Sequence, residues 1–289
     1  MSQPFDLESA DAASPAGAIA YLQADYPGTP GRQELVPSEV SGALVQGAMM
    51  AACEAGFELI VKRAPCADMR RIFDELRRRQ RLAGVIYATF GGDSLLRHVT
   101  ALGLPAVLLG HDANLPRIHT VRDDSFEGAR QAVHHLAELG HRLMSFACRT
   151  HPDLKPWQQL GFRQGLRDLH LARRGRFELG IELTPASIEL AADRLLALSP
   201  RPTAVFCSDN SLASELSNAL ALRGVSVPDE LYLFGGGGEE IHGLPGLHID
   251  WHDMGWLAID LLQRASNEAT LPTQHLLVPA LLDEAMAAG

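Results

Sequence analysis

The segment RPTAVFCSDNSLASELSNALALRGVSVPDELYLFGGGG, Arg201 to Gly238, constrains the fold more than any other stretch. Thr203 to Cys207 is a short apolar run suited to a strand buried on both faces, and Ser208, Asp209 and Asn210 supply side chains that cap a following helix. Leu212, Leu216, Ala219 and Leu220 share one helical face, Gly224 supplies a stop, and Pro228 precedes a second apolar run, Leu231 to Phe234. The pattern predicts a βαβ unit. A right-handed crossover then sets the Ser208 to Asn210 turn and the Gly235 to Gly238 run on one carboxyl edge of a parallel sheet, where such sheets bind ligands.

The alternation extends in both directions. The sequence predicts strands at Ala18 to Leu22, Phe57 to Val61, Gly84 to Ala88 and Ala106 to Leu109, with helices at Glu39 to Ala55, Met69 to Arg81 and Ser94 to Gly103. A second round gives helix Phe126 to Leu139, strand Leu143 to Ala147, helix Gln159 to Leu169, a strand near Phe177 to Leu179 and helix Pro185 to Leu198. Helix Met254 to Ala265 and an apolar stretch, Leu276 to Leu282, close the chain, the latter adding strand to a sheet with an open edge. Residues 1 to 16 read as a disordered tail, and Gln23 to Ser38 as a long loop off a strand's carboxyl end.

With 289 residues, 46% of them hydrophobic, the chain can bury two cores. A net charge of -10 gives no footprint for phosphate backbones, so the chain by itself is not expected to grip DNA. Cys53, Cys66, Cys148 and Cys207 lack metal spacing and do not form a disulfide framework, which suits a reducing cytoplasm. The acidic start MSQPFDLESADAASPAG lacks the basic opening and apolar centre of an export signal, and no run of about eighteen apolar residues occurs.

The ordered pieces Gly84-Val85-Ile86, Asp124 to Gly128 leading into HHLAELGHR, LGFRQGL at Leu160 to Leu166, RPTAVFCSDNSLA at Arg201 to Ala213, RGVSVPDELYLFG at Arg223 to Gly235, and Met254-Gly255 carry a resemblance. Together they are similar to the effector-binding core of the lactose-repressor and galactose-repressor family of transcription regulators, which has the type I periplasmic-binding-protein fold. The likeness spans roughly Gly17 to Met286. It implies an α/β chain of two doubly wound parallel-sheet lobes joined by three chain crossings, with a small-molecule effector in the cleft and a homodimer whose geometry the effector alters. Expected lobes are 17–145 with 249–273, and 146–248 with 274–289. The family's helix-turn-helix head, which reads DNA, does not fit in the sixteen residues before the first strand.

The pocket departs from the family pattern. Gln158 stands where the resemblance implies a ligand-clamping arginine, Gly237 where it implies a ligand-binding aspartate, and Asp209-Asn210 reverses the usual order. Asp209 either accepts from ligand or caps the helix. Trp157, Phe90 and Tyr26 follow strand ends or lie in loops, where aromatic faces stack on ligands or fill a hinge. Asp25, Asp112, Asp124 and Arg149 also lie past strand ends, as cleft groups or as caps and inter-lobe pairs. The glycine run lacks a dinucleotide fingerprint and the Lys-Ser/Thr of a P-loop. His248 and His252 stand four apart but without the glutamate of a metalloprotease, and His134 and His135 sit in a helix without assigned chemistry.

The expectation is therefore a cytoplasmic effector sensor, not an enzyme, without cofactor, metal or membrane contact. Its small-molecule effector is a sugar or related polar metabolite, and DNA binding runs through a head outside these residues. A transport solute-binding protein and a headless regulator acting through partner proteins are the alternatives.

Overall fold

In the computed structural model, the described residues are 17–25, 38–88, 93–112, 115, 118–150, 156–182, 184–238, 240–268 and 270–283. The expected tail, Tyr26, Phe90 and most of the loop after the first strand lie outside them.

The first sheet takes β1 (Ala18–Asp25), β2 (Glu58–Pro65), β3 (Leu82–Ala88), β4 (Ala106–Leu109), β5 (His119–Asp123) and β11 (His275–Val278), in the order β11-β5-β4-β3-β1-β2. Its pairings are all parallel. The second takes β6 (Met144–Arg149), β7 (Glu178–Ile181), β8 (Ala204–Cys207), β9 (Tyr232–Gly235), β10 (Gly246–Ile249) and β12 (Ala280–Asp283), in the order β12-β10-β9-β8-β6-β7. Only β12 runs antiparallel there. The two doubly wound sheets are the α/β architecture that the resemblance implied.

Helices cover both faces of each sheet. On the first lie α1 (Ser38–Glu54) and α8 (Trp251–Asn267) on one side and α2 (Met69–Arg79) and α3 (Asp93–Ala101) on the other. On the second lie α4 (Ser125–Glu138) and α5 (Trp157–Asp168) on one side and α6 (Pro185–Ala197) and α7 (Asn210–Ala221) on the other. The inner strands β4 and β8 are buried on both faces, so they read as continuous apolar runs, Ala106–Leu109 and Ala204–Cys207, whereas the edge strand β2 is mostly exposed. Stacked rings of Phe146, Phe162 and Phe206 fill the second lobe, with centroids 5.4 Å and 5.6 Å apart around Phe146.

The chain changes sheets three times: between β5 and α4, between β10 and α8, and at Pro279 between β11 and β12. These changes correct the expected lobe limits. The first falls near Asp124 and not at 145/146, because α4 already packs on α5 and the second sheet. The second falls at Asp250, close to the expected 248/249. The third falls at Pro279 and not at 273/274, because β11 pairs with β5 of the first sheet. The stretch Leu276 to Leu282 is thus two strands, one on each sheet, split at a residue that has no N–H to give a ladder. Strands β5 and β10 were not among the expected elements.

Two helix pairs approach at backbone distance. A Cβ on Gly47 of α1 would stand 1.9 Å from the His252 carbonyl oxygen of α8, and one on Gly255 would stand 2.0 Å from that of Leu44. In the second lobe a Cβ on Gly161 of α5 would meet the Phe126 carbonyl oxygen of α4 at 2.0 Å. Only hydrogen at these positions permits the packing.

Candidate binding cleft

All three crossings leave carboxyl strand ends, those of β5, β10 and β11, so the carboxyl edges of the two sheets border the cleft between the lobes. In parallel sheets this edge gathers loops and helix N-termini, and with them polar groups.

On the second sheet, Arg149 ends β6 and Asp209 follows β8. Arg149 Nε donates to Asp209 Oδ2 at 3.0 Å and its Nη2 donates to Glu215 Oε1 of α7 at 3.0 Å. The Arg149 side chain is only 11% exposed. Burial works against its charge, and the two carboxylates outweigh that penalty and hold it protonated. Its Nη1 is buried with no hydrogen-bond partner. Asp209 is heavily committed: Oδ1 accepts from the Leu212 N–H at 2.6 Å, capping α7, while Oδ2 accepts from Arg149 and from Ser208 Oγ at 3.0 Å.

Gln158, near the start of α5, donates its amide to the carbonyls of Ser208 at 2.8 Å and Gly236 at 3.1 Å. It ties the ends of β8 and β9 to α5. The Asn210 N–H donates to the Gly237 carbonyl at 2.9 Å, and the Gly237 N–H donates to Asn210 Oδ1 at 3.3 Å. Gly237 lies in the left-handed region, φ 104°, and a Cβ there would press on Ile249 at 2.8 Å. The expected turn and glycine run therefore meet at one edge, as a backbone platform rather than a phosphate cradle.

The first sheet contributes Asp112, just beyond β4, and Arg122 on β5. Arg122 Nε donates to Asp112 Oδ1 at 2.8 Å, and Trp157 Nε1 at the start of α5 donates to Asp112 Oδ2 at 3.0 Å. The Arg122 guanidinium lies 5.2 Å from the centre of the Trp157 ring. This cluster joins the two lobes across the cleft. Asp25 is set apart, paired with Arg63 of β2 at 2.7 Å.

Asp124 caps α4, accepting from the Glu127 N–H at 3.2 Å, while its own N–H donates to the Val278 carbonyl at 2.8 Å and so fastens two crossings together. Beside it, burial pushes the Asp123 carboxyl above its usual range, while Ser125 Oγ donates to it. Burial also pushes the Cys148 thiol up to about 11, which keeps it protonated. His248 and His252 do not converge: the first faces Glu240 Oε1 at 3.1 Å, the second Met50 Sδ at 3.2 Å. Among the described residues no cluster of metal-ligating side chains occurs.

The expected residues thus form three groups, Arg149 with Asp209, Gln158 with Gly237 through the backbone platform, and Asp112 with Trp157. Asp25 and Asp124 lie apart from these groups, and Phe90 is not described. Arg122 and Glu215 were not singled out as site residues, since nothing in local spacing ties them to partners distant in sequence.

The model of the periplasmic binding protein-like domain matches residues 133–284. The probable HTH-type transcriptional repressor ExuR of Bacillus subtilis (strain 168) is 28% identical over 145 residues, 50% of this chain and 43% of that protein. The HTH-type transcriptional repressor PurR of Mannheimia succiniciproducens is 29% identical over 133 residues, 46% of this chain and 40% of that protein. The matches thus span less than half the length of these relatives. Among solved structures, a regulatory protein of the LacI family from Chloroflexus aggregans superposes with a TM-score of 0.79 at 18% identity, covering 94% of this chain and 98% of that one. A transcriptional regulator CelR-cellobiose complex gives 0.77 at 20% identity, covering 92% and 83%. These relatives are regulators, not enzymes. The family model covers more than half of the sequence, and the chain belongs to the periplasmic binding protein-like domain family, with HTH-type transcriptional repressors among its relatives.

Proposed function

We propose that the chain is the effector-binding core of a LacI/GalR-type transcription regulator, taking a small polar metabolite in the inter-lobe cleft and working as a homodimer in the cytoplasm. Effector binding biases the dimer between two arrangements and so controls DNA binding through an amino-terminal head. A ligand shifts such an equilibrium only by its differential affinity for the two states, so groups that span the cleft govern the response. The observation that carries this reading is the Asp112–Trp157 hydrogen bond between the lobes, set beside the polar platform of Arg149, Gln158 and Asp209. The repressor relatives and the cellobiose complex of a structural neighbour support it.

Thermal unfolding against a panel of sugars, sugar acids, sugar phosphates, nucleosides and purines tests it. Ligand at about 100 times its Kd adds about 2.7 kcal/mol, enough to raise the melting point by several degrees. A flat panel would sink the reading.

A further inference from the structure

We propose that Arg149 Nη1 anchors the cleft's occupant, and that the occupant presents to it an uncharged oxygen, a hydroxyl or carbonyl, rather than a carboxylate or phosphate. The inference rests on the reading of the cleft as an effector site.

Two observations combine. A guanidinium carries five N–H donors in a fixed fork and no acceptor. In Arg149 the Nε and Nη2 arms are spent on Asp209 and Glu215, at 3.0 Å each, and this fixes the plane of the group. The Nη1 arm is buried and bonds to nothing. Buried donors without partners are rare in folded proteins because desolvating them is costly, so one at the cleft edge of a sheet marks a place for an acceptor.

Charge selects the kind of acceptor. Asp209 alone already matches the arginine, and Glu215 adds a second carboxylate on the same group. The other guanidinium in the inter-lobe cluster, Arg122, is matched by Asp112 at 2.8 Å. Among the described residues, the two cleft guanidiniums thus offer directed N–H groups whose positive charge is already matched. An incoming carboxylate or phosphate would be desolvated beside Asp209 and Glu215 and repelled by both, whereas a neutral oxygen satisfies Nη1 at no Coulomb cost.

The test measures affinities of the intact chain by calorimetry for matched probes: glucose, glucuronate and glucose 6-phosphate; cellobiose and cellobionate; inosine and inosine monophosphate. The neutral member of a binding set should be tighter than its anionic counterpart by about tenfold or more. Arg149→Lys, which keeps a charge but loses the forked donor, should weaken the neutral probe by about tenfold. Glu215→Gln keeps an acceptor for Nη2 and removes a charge, so it should raise the anionic probe relative to the neutral one by about fivefold, and it decides the matter if the lysine variant fails to fold. Equal or tighter binding of the anionic member, or a ratio unmoved by Glu215→Gln, overturns the inference and leaves the effector site standing. Silence from every probe removes the effector site, and the inference with it.

Discussion

An arginine meets an aspartate at the carboxyl strand ends of each sheet, and the two pairs differ in everything but chemistry. Arg63 and Asp25 stand 2.7 Å apart with their side chains 39% and 43% exposed, whereas Arg149 and Asp209 stand 3.0 Å apart at 11% and 27%. The shorter bond is the weaker constraint. Water screens the first pair and offers its groups other partners, while the second sits where each group depends on the other. What sets the second pair apart is its surroundings: a helix cap on one side, a second carboxylate on the other, and one donor left over.

The comparison breaks or holds by mutation. Arg149→Met strands two carboxylates at once and should lower unfolding stability by about 3 kcal/mol, read from the midpoint of urea denaturation. A loss no larger than that of an exposed pair would erase the distinction. Asp209→Ala removes the cap of α7 and one partner of Arg149, so about 2 kcal/mol should be lost in the same assay. Trp157→Phe keeps the ring and removes the indole donor to Asp112; stability should drop by about 1 kcal/mol, and X-ray scattering should report more open lobes.

Next in size is a pH effect. Burial, with His275 and Arg264 nearby, lowers the His119 pKa. The unfolded chain then binds the proton more readily than the folded one, so His119 favours the fold above about pH 6.5 and loses that contribution as pH falls through its folded value. His119→Gln should flatten the fall in melting temperature between neutral and mildly acidic pH. Smallest is Arg63→Ala, expected within about 0.5 kcal/mol of the parent in urea.

The architecture was legible because buried parallel strands announce themselves as short apolar runs: Ala106 to Leu109 matches its strand limit for limit, and Thr203 to Cys207 misses by one residue. Strand β5, His-Thr-Val-Arg-Asp, was hidden because its polar residues are held by partners that local reading does not supply, such as His275 at Thr120 and Asp112 at Arg122. Strand β10 is four residues long, and its exposed His248 looked like surface. In the cleft, residue types and strand ends pointed to Arg149, Asp209, Asp112 and Trp157. The pairing did not, since Arg149 meets Asp209 sixty positions away and Trp157 meets Asp112 across the lobes.

The glycine contacts between helix pairs have a mechanical consequence. Helices α4 and α8 each begin directly after a crossing, and each is pressed backbone to backbone on a neighbour, α5 or α1, with no side chain between to act as a cushion. Such a joint transmits rotation without slip. Any swing of one lobe against the other must then be taken up by the few peptides around Asp124, Asp250 and Pro279, where the chain passes between the two sheets.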